Sequence, residues 1–148
     1  MPAAQRLETP HVRREKRKVH ETIFSMPKRI LIVDDSCIIR SHCQLVLKNA
    51  HYQPVEAWDA VQARTALKNF DIAFMICDLN IPGVNGLDLV EAMRKEPKLA
   101  ELPVAMMRAE CNMDLVRRAK RAGVVHWLLK PYTSEELLEL VARHVDAA

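Results

Sequence analysis

The sequence predicts an α/β fold in which five parallel strands form one doubly wound sheet with helices on both faces. Apolar segments of strand length alternate five times with amphipathic segments of helical period. The links between them are short and contain the Pro, Gly and Asn residues that are typical of turns. The 148 residues are 49% hydrophobic and 28% charged, which is the composition of a globular domain with its own core.

The first two strand–helix units follow one another without a break. The aliphatic run RILIVDD at 29–35 predicts a strand that is buried on both faces. Residues 36–50 place apolar side chains at helical spacing, and Ser36 is a suitable N-cap for that helix. A short strand is predicted at 53–58, and an amphipathic helix that begins with a capping Asp is predicted at 59–70.

Three further units complete the alternation. The apolar run DIAFMICD predicts a third buried strand at 71–78, and a loop rich in Asn, Pro and Gly leads to a helix at 87–95. Gly123 marks a helix end, and Thr133 with Glu136 fits a capping box. The remaining elements are strands at 102–107 and 124–130 and helices at 113–123 and 133–145.

The basic charge of the chain is concentrated at its N-terminus. Residues 1–27 carry six Lys or Arg and three Glu, a net +3, whereas residues 28–148 balance to zero. Residues 1–27 show little apolar periodicity, so we interpret them as a basic, disordered arm before a single domain at 28–148. The run RREKRK fits a nucleic acid or an acidic partner, but a solvated extension is the simpler interpretation, and we expect no nucleic-acid binding. Met26 is an alternative translation start.

Composition also restricts the location of the protein and the role of its cysteines. No segment reaches the roughly 20 apolar residues that cross a bilayer, and no signal peptide is evident, so we expect a cytoplasmic protein without membrane insertion. No CxxC pair occurs, and we expect reduced thiols that pack as small hydrophobic side chains. The four cysteines are Cys37, Cys43, Cys77 and Cys111.

Charged side chains end four of the five predicted strands. Strand one ends in Asp34 and Asp35, strand three in Asp78, strand four at Arg108 and strand five in Lys130. Sites in such sheets form outside the carboxyl ends of the strands, so these side chains converge if their strands are neighbours. Three carboxylates repel each other unless a cation joins them, and a hard divalent ion such as Mg²⁺ meets that need. With the Lys130 ammonium, the set suits phosphoryl transfer to a carboxylate, although each feature alone also fits a solvated loop.

The sequence resembles the receiver domain of two-component response regulators, which has the flavodoxin-like fold typified by the stand-alone chemotaxis regulator. The resemblance runs from about residue 28 to residue 145. It rests on four motifs in the family's order: ILIVDDS, MICDLNIPGVNG, LPVAMM and HWLLKPY. It therefore implies a (βα)5 receiver domain at 28–148, and the basic arm falls outside it.

The resemblance implies a role for each matched position. Asp78 corresponds to the aspartate that receives a phosphoryl group from a histidine kinase or a phosphotransfer protein. Lys130 corresponds to the lysine that contacts the phosphoryl group, and the bond before Pro131 is often cis in this family. Trp127 occupies the position of the aromatic switch residue, which is usually Tyr or Phe. The family's Mg²⁺ site corresponds to Asp34, Asp35, Asp78 and the backbone carbonyl of Asn80.

Arg108 departs from the family's pattern. The family normally has Thr or Ser there, whose hydroxyl binds a phosphoryl oxygen and whose movement draws the aromatic residue inward. Three interpretations are open. The guanidinium pairs with Asp78 or its phosphate, or it points to solvent and the site lacks one contact, or receiver chemistry has been lost and the domain signals by binding alone.

The leading hypothesis is a single-domain response regulator, not an enzyme, that is phosphorylated on Asp78 and signals through protein contact. Its downstream partner is expected on the face formed by the fourth helix, fifth strand and fifth helix. The alternative is a phosphorylation-independent receiver-like interaction module, because Arg108 replaces the usual Thr or Ser. A nucleotide or flavin binder would need a Ser/Thr/Gly-rich loop after strand one, and a hydrolase would need an acid–base residue where Asn80 stands.

Overall fold

The computed structural model describes residues 26–109 and 112–146 of the chain. The strands are β1 Arg29–Val33, β2 Gln53–Ala57, β3 Ile72–Asp78, β4 Val104–Arg108 and β5 His126–Leu129. The helices are α1 Cys37–Asn49, α2 Ala60–Asn69, α3 Gly86–Arg94, α4 Met113–Arg121 and α5 Ser134–Val145, with a 3-10 helix at Pro97–Leu99. All strand pairs are parallel, and the order β2-β1-β3-β4-β5 is that of the flavodoxin-like fold, as the sequence predicts.

Apolar side chains fill both faces of the three central strands. Because successive side chains in a strand point to opposite faces, each central strand contributes to two separate hydrophobic layers. Leu31 and Met75 lie in the layer beneath α2, α3 and α4, whereas Ile32 and Phe74 lie in the layer beneath α1 and α5. Each such fully buried side chain stabilises the fold by about 1.5–3 kcal/mol, so these layers hold the strand ends in place.

The register of the sheet sets the acidic strand ends side by side. Val33 of β1 pairs with Cys77 of β3, so the next residues, Asp34 and Asp78, lie side by side at the carboxyl edge of the sheet. Asp78 in turn pairs with Met107, which places Arg108 one residue further along the same edge. Strands β1 and β3 also flank the point where the strand order reverses, where ligand sites form in sheets of this kind.

Side-chain caps define where the helices begin. Ser36 and Asp59 cap α1 and α2 as predicted, since each side chain accepts a backbone N–H from the first turn. Thr133 Oγ1 accepts the N–H of Glu136 at 3.1 Å, but no return bond to the Glu136 side chain occurs among the described residues, so only half of the predicted capping box forms. Gly123 follows α4 with φ of 76°, as its predicted role at a helix end requires.

Several predicted boundaries and one cysteine differ from the structure. Strand β5 begins at His126 rather than at 124, because the N–H of Val124 bonds to the Ala119 carbonyl and closes the end of α4. Cys43 and Cys77 are buried thiols as predicted, but Cys37 is exposed. It lies six residues before Cys43 and therefore on another side of α1.

Some predictions concern residues outside the ranges that the structure describes. Residues 1–25 of the predicted basic arm and Cys111 lie outside the described residues, so their predicted roles are untested. Within the described ranges, no helix is both long and apolar enough to cross a membrane.

Candidate functional site

Three carboxylates meet at the edge of the sheet where β1 and β3 end. Oxygen atoms of Asp34, Asp35 and Asp78 all lie within 4.8 Å of one another. Asp34 is fully buried and Asp78 nearly so, whereas Asp35 is exposed. The cluster therefore has a buried floor and one open side, and its oxygen donors are of the kind that hard divalent cations prefer.

Lys130 bridges the two buried carboxylates. Its Nζ atom donates to Asp34 Oδ2 and to Asp78 Oδ2, each at 3.0 Å, and the peptide bond from Lys130 to Pro131 is cis. Burial alone lowers the pKa of this ammonium, but its hydrogen bonds to Asp78 and Asp34 outweigh burial and raise the pKa overall. Lys130 therefore stays a fixed positive charge beside Asp78.

Asp34 is held at each of its polar groups. Its N–H donates to the Ala57 carbonyl at 3.1 Å, and its Oδ1 atom accepts the Ser36 N–H at 2.9 Å. Burial raises the pKa of Asp34, although the bonds from Ser36 and Lys130 act in the opposite direction. A cation bound at this cluster would favour the charged form of Asp34.

The loop after β3 returns directly to Asp78. The Asn80 N–H donates to Asp78 Oδ1 at 3.2 Å, and Asn80 forms an antiparallel bridge with Asn85. The Gly86 N–H then donates to the Leu79 carbonyl at 2.7 Å. A Cβ atom at Gly86 would lie 2.4 Å from the Asp78 backbone oxygen, so only glycine permits this approach of α3.

Arg108 lies half-buried at the end of β4, beside Leu129 of β5. Its backbone oxygen accepts the Lys130 N–H at 2.9 Å, which ties it to the strand that carries the bridging lysine. Among the described residues, its guanidinium forms no ion pair with Asp78 or with any other acid. Of the three interpretations, pairing with the free Asp78 carboxylate is therefore not seen.

Trp127 packs inward against the hydrophobic layer that contains Met106, its partner in the sheet. It is half-buried, while the preceding His126 is exposed on the other side of the strand, as alternation predicts. The indole Nε1 atom is buried and has no hydrogen-bond partner among the described residues. The bulky ring thus already contacts the core in this structure.

Helix α4 is basic, but its arginines differ in role. Arg118 turns toward α3, where its Nε atom donates to Glu91 Oε1 at 2.6 Å and its Nη2 atom pairs with Asp88. These two partners raise the pKa of Arg118. The exposed cations of the helix are Arg117, Lys120 and Arg121.

A family model described as the response regulator receiver domain matches residues 30–142. This chain is a member of the response regulator receiver domain family. The matched range begins at the second residue of β1, includes the other four strands in full and ends within α5, so the predicted resemblance is confirmed for the domain that carries the acidic cluster.

Chemotaxis proteins are among the relatives of this receiver domain. It is 35% identical over 120 residues to chemotaxis protein CheY-3 of Vibrio cholerae, covering 80% of this chain and 92% of that protein. It is 36% identical over 117 residues to the chemotaxis protein CheY homolog of Campylobacter jejuni, covering 75% and 87%.

Solved structures show the same fold. The receiver domain superimposes on chemotaxis protein CheY4 of Vibrio cholerae with a TM-score of 0.76 and 29% identity, covering 80% of this chain and 98% of that one. A putative response regulator from Chloroflexus aurantiacus gives a TM-score of 0.74 at 30% identity, covering 81% and 98%.

Sequence reasoning missed one residue that contacts this site. Arg40, on α1, donates from Nη1 to the backbone oxygen of Asp34 at 2.7 Å. An arginine at helical spacing after the two acids looks like an ordinary surface charge in the sequence. Only the path of the chain around the pocket reveals the contact.

Proposed function

We propose that this receiver domain accepts a phosphoryl group on Asp78 from a histidine kinase or a phosphotransfer protein and signals through protein contact. The observation that carries the proposal is the position of Lys130 Nζ, 3.0 Å from both Asp78 and Asp34, beside a three-carboxylate cluster. A fixed ammonium next to a nearly buried carboxylate suits a reaction in which negative charge gathers on transferring oxygens.

The proposed reaction joins an Asp78 carboxylate oxygen to phosphorus as the phosphorus–nitrogen bond of a phosphohistidine breaks. The product is an acyl phosphate on Asp78, and the histidine nitrogen leaves with the bond's electron pair. Lys130 stays within reach of the phosphoryl oxygens, and Asp34 keeps Lys130 oriented through their shared hydrogen bond.

The residues at the site fit a Mg²⁺ ion. Asp34, Asp35, Asp78 and the backbone carbonyl of Asn80 would hold it, and all four donors are oxygens. When bound, the ion neutralises charge on the carboxylates and on the phosphoryl oxygens. The exposed Asp35 side leaves the approach for a donor protein open.

For the output we propose a downstream protein that binds the face formed by α4, β5 and α5. The exposed cations of α4 and the half-buried Trp127 lie on these elements. A cytoplasmic location, the absence of nucleic-acid binding and the lack of enzymatic activity stay predictions.

The proposal is tested by incubation of the full chain with acetyl phosphate or phosphoramidate in the presence of Mg²⁺. We expect intact mass spectrometry to show one added phosphoryl group, because a small donor needs only an ionised Asp78 and a neutralising cation. Removal of the divalent cation with a chelator should suppress the adduct by roughly tenfold or more, since the metal contributes several kcal/mol of charge stabilisation.

The absence of any adduct at millimolar donor would instead support the alternative, a phosphorylation-independent interaction module. Two observations favour this alternative. Arg108 offers no hydroxyl for a phosphoryl oxygen, and Trp127 already packs against the core without a phosphate to draw it inward.

We expect Arg108→Thr to shorten the lifetime of the adduct roughly tenfold. A charge-assisted hydrogen bond from the guanidinium to a phosphoryl oxygen contributes about 1.5–3 kcal/mol, roughly twice as much as the bond from the Thr hydroxyl that would replace it. The larger arginine side chain also limits access of water. The measurement is the decay of the adduct, followed by intact mass after donor removal. Arg117→Thr, on exposed α4, is the matched control and should leave the decay unchanged. An unaltered lifetime in Arg108→Thr would show that this side chain never reaches the phosphate.

A further inference from the structure

Arg40 is a nearly buried arginine that the proposed phosphoryl chemistry does not use. Its side chain is only 14% exposed, although a charged side chain on a helix surface normally lies in water. It has three partners, one after β1 and two at the end of β2. They are the Asp34 backbone oxygen at 2.7 Å, Glu56 Oε1 at 3.6 Å and the Trp58 ring, whose centroid lies 5.8 Å from the guanidinium carbon.

The hydrogen bond to the Asp34 carbonyl fixes more than one residue. The Asp34 carbonyl shares its peptide plane with the backbone nitrogen and Cα of Asp35. The bond from Arg40 therefore also fixes the position of these two atoms. The other polar groups of Asp34 already have partners in Ala57, Ser36 and Lys130. With its carbonyl held as well, the residue cannot rotate without breaking several bonds.

Asp35 needs such an indirect restraint. Its side chain is exposed and forms no hydrogen bond or ion pair with any described residue, yet its carboxylate lies within 4.8 Å of those of Asp34 and Asp78. Mutual repulsion would turn a free side chain away from the other two acids. The position of the Asp35 backbone therefore decides how easily its carboxylate can reach the other two.

We propose, on the basis of the function inferred above, that Arg40 is a positioning residue for divalent-cation binding. By holding the Asp34 carbonyl, it fixes the peptide plane that directs the Asp35 carboxylate toward Asp34 and Asp78. The three acids are then in place before the cation arrives, so binding does not have to order them.

Trp58 and Glu56 keep Arg40 in this position. Trp58 is 52% exposed, which is unusual for so large an apolar side chain, and it lies over the guanidinium. Its own backbone N–H donates to Gln62 Oε1 at 3.0 Å, which fixes the start of α2 beneath it. The ring and the Glu56 carboxylate together restrict the arginine to the rotamer that reaches Asp34.

Charge and geometry predict opposite effects of removing Arg40. As a positive charge near three carboxylates, Arg40 repels a second cation, so loss of the charge alone should tighten Mg²⁺ binding. Loss of the carbonyl bond should weaken Mg²⁺ binding, because the Asp35 carboxylate is no longer held in place. Whether Mg²⁺ binding becomes weaker or tighter therefore distinguishes a positioning role from the effect of a nearby charge.

The test is calorimetric titration of the full chain with Mg²⁺ in the absence of any phosphodonor. We expect Arg40→Ala and Arg40→Met to raise the Mg²⁺ Kd roughly tenfold or more, as loss of partners that orient metal ligands usually does. Met keeps an unbranched apolar side chain without the charge and supplies a folded variant if Ala is too unstable. Arg64→Ala removes the same charge from an exposed position on α2 and should leave Kd unchanged. Thermal denaturation establishes that each variant is folded at the titration temperature.

Unchanged or tighter binding in either folded Arg40 variant would overturn the positioning role, and so would a wild-type chain that binds no divalent cation. The outcome is separable from that of the proposed function. If the wild-type chain binds Mg²⁺ but forms no adduct, the proposed phosphorylation is contradicted. The Mg²⁺ Kd of the Arg40 variants still tests the positioning role in that case. If the wild-type chain forms the adduct and the Arg40 variants bind Mg²⁺ with the wild-type Kd, only the positioning role is contradicted.

Discussion

The Asp78→Asn variant is expected to form no phosphoryl adduct with acetyl phosphate and Mg²⁺. The amide is not a nucleophile, and the other acids of the cluster occupy different positions, since Asp34 is fully buried and bonded to Ser36 and Lys130. Complete loss of the added mass in intact mass spectrometry is therefore the expected result. The substitution keeps the size of the side chain, and the Asn80 N–H can still donate to the amide oxygen.

Asp71→Asn is the matched control for this experiment. It makes the same chemical change at an exposed residue just before β3, and the adduct should form at the wild-type rate. Persistence of the adduct in Asp78→Asn would contradict the assignment and would direct attention to Asp34 or Asp35. Peptide mapping of the adduct would then identify the acceptor.

Gly86→Ala is expected to destabilise the fold by about 3 kcal/mol, at the upper end of what overpacking usually costs. The new Cβ would lie 2.4 Å from the Asp78 backbone oxygen and 2.9 Å from Met106 Cε. The methionine end can move at little cost, but the oxygen belongs to the backbone at the buried end of β3. Relief therefore requires a shift of α3 or of Asp78 itself, so the variant should also be phosphorylated more slowly. Urea denaturation measures the change in the free energy of unfolding.

Gly83→Ala separates this contact from the general cost of replacing a glycine. Gly83 has φ of 95°, but no atom lies within 4 Å of the position that an alanine methyl group would take. Only backbone strain of about 1–2 kcal/mol therefore opposes alanine there. The close approach of α3 to Asp78 is contradicted if Gly86→Ala loses no more stability than Gly83→Ala.

The central strands were predictable because their apolar runs are continuous. ILIV at 30–33 and IAFMIC at 72–77 are apolar throughout, and such runs fit strands with helices on both faces. The helix starts were equally local, since Ser36 and Asp59 each satisfy a backbone N–H within three residues. The first and last residues of the strands were less predictable, as the start of β5 at His126 instead of 124 shows.

Helix α1 shows where periodicity fails. The sequence places apolar Ile38 and Leu45 at helical spacing, but these side chains are 79% and 62% exposed, while Cys43 and Leu47 are fully buried. An apolar residue on a helix can lie on either side, and only the sheet that the helix covers decides which side is buried.

The sequence by itself determined which residues end the strands, and hence that three acids and a lysine were available for one site. The strand order and the register decided that Asp34 and Asp78 lie side by side at the carboxyl edge of the sheet. The tertiary structure likewise decided the direction of each side chain. Lys130 bridges two acids, and Arg40 reaches back from α1 to the Asp34 carbonyl. These contacts join residues on separate elements, so their geometry depends on how helices pack on the sheet, which no local pattern of residues records.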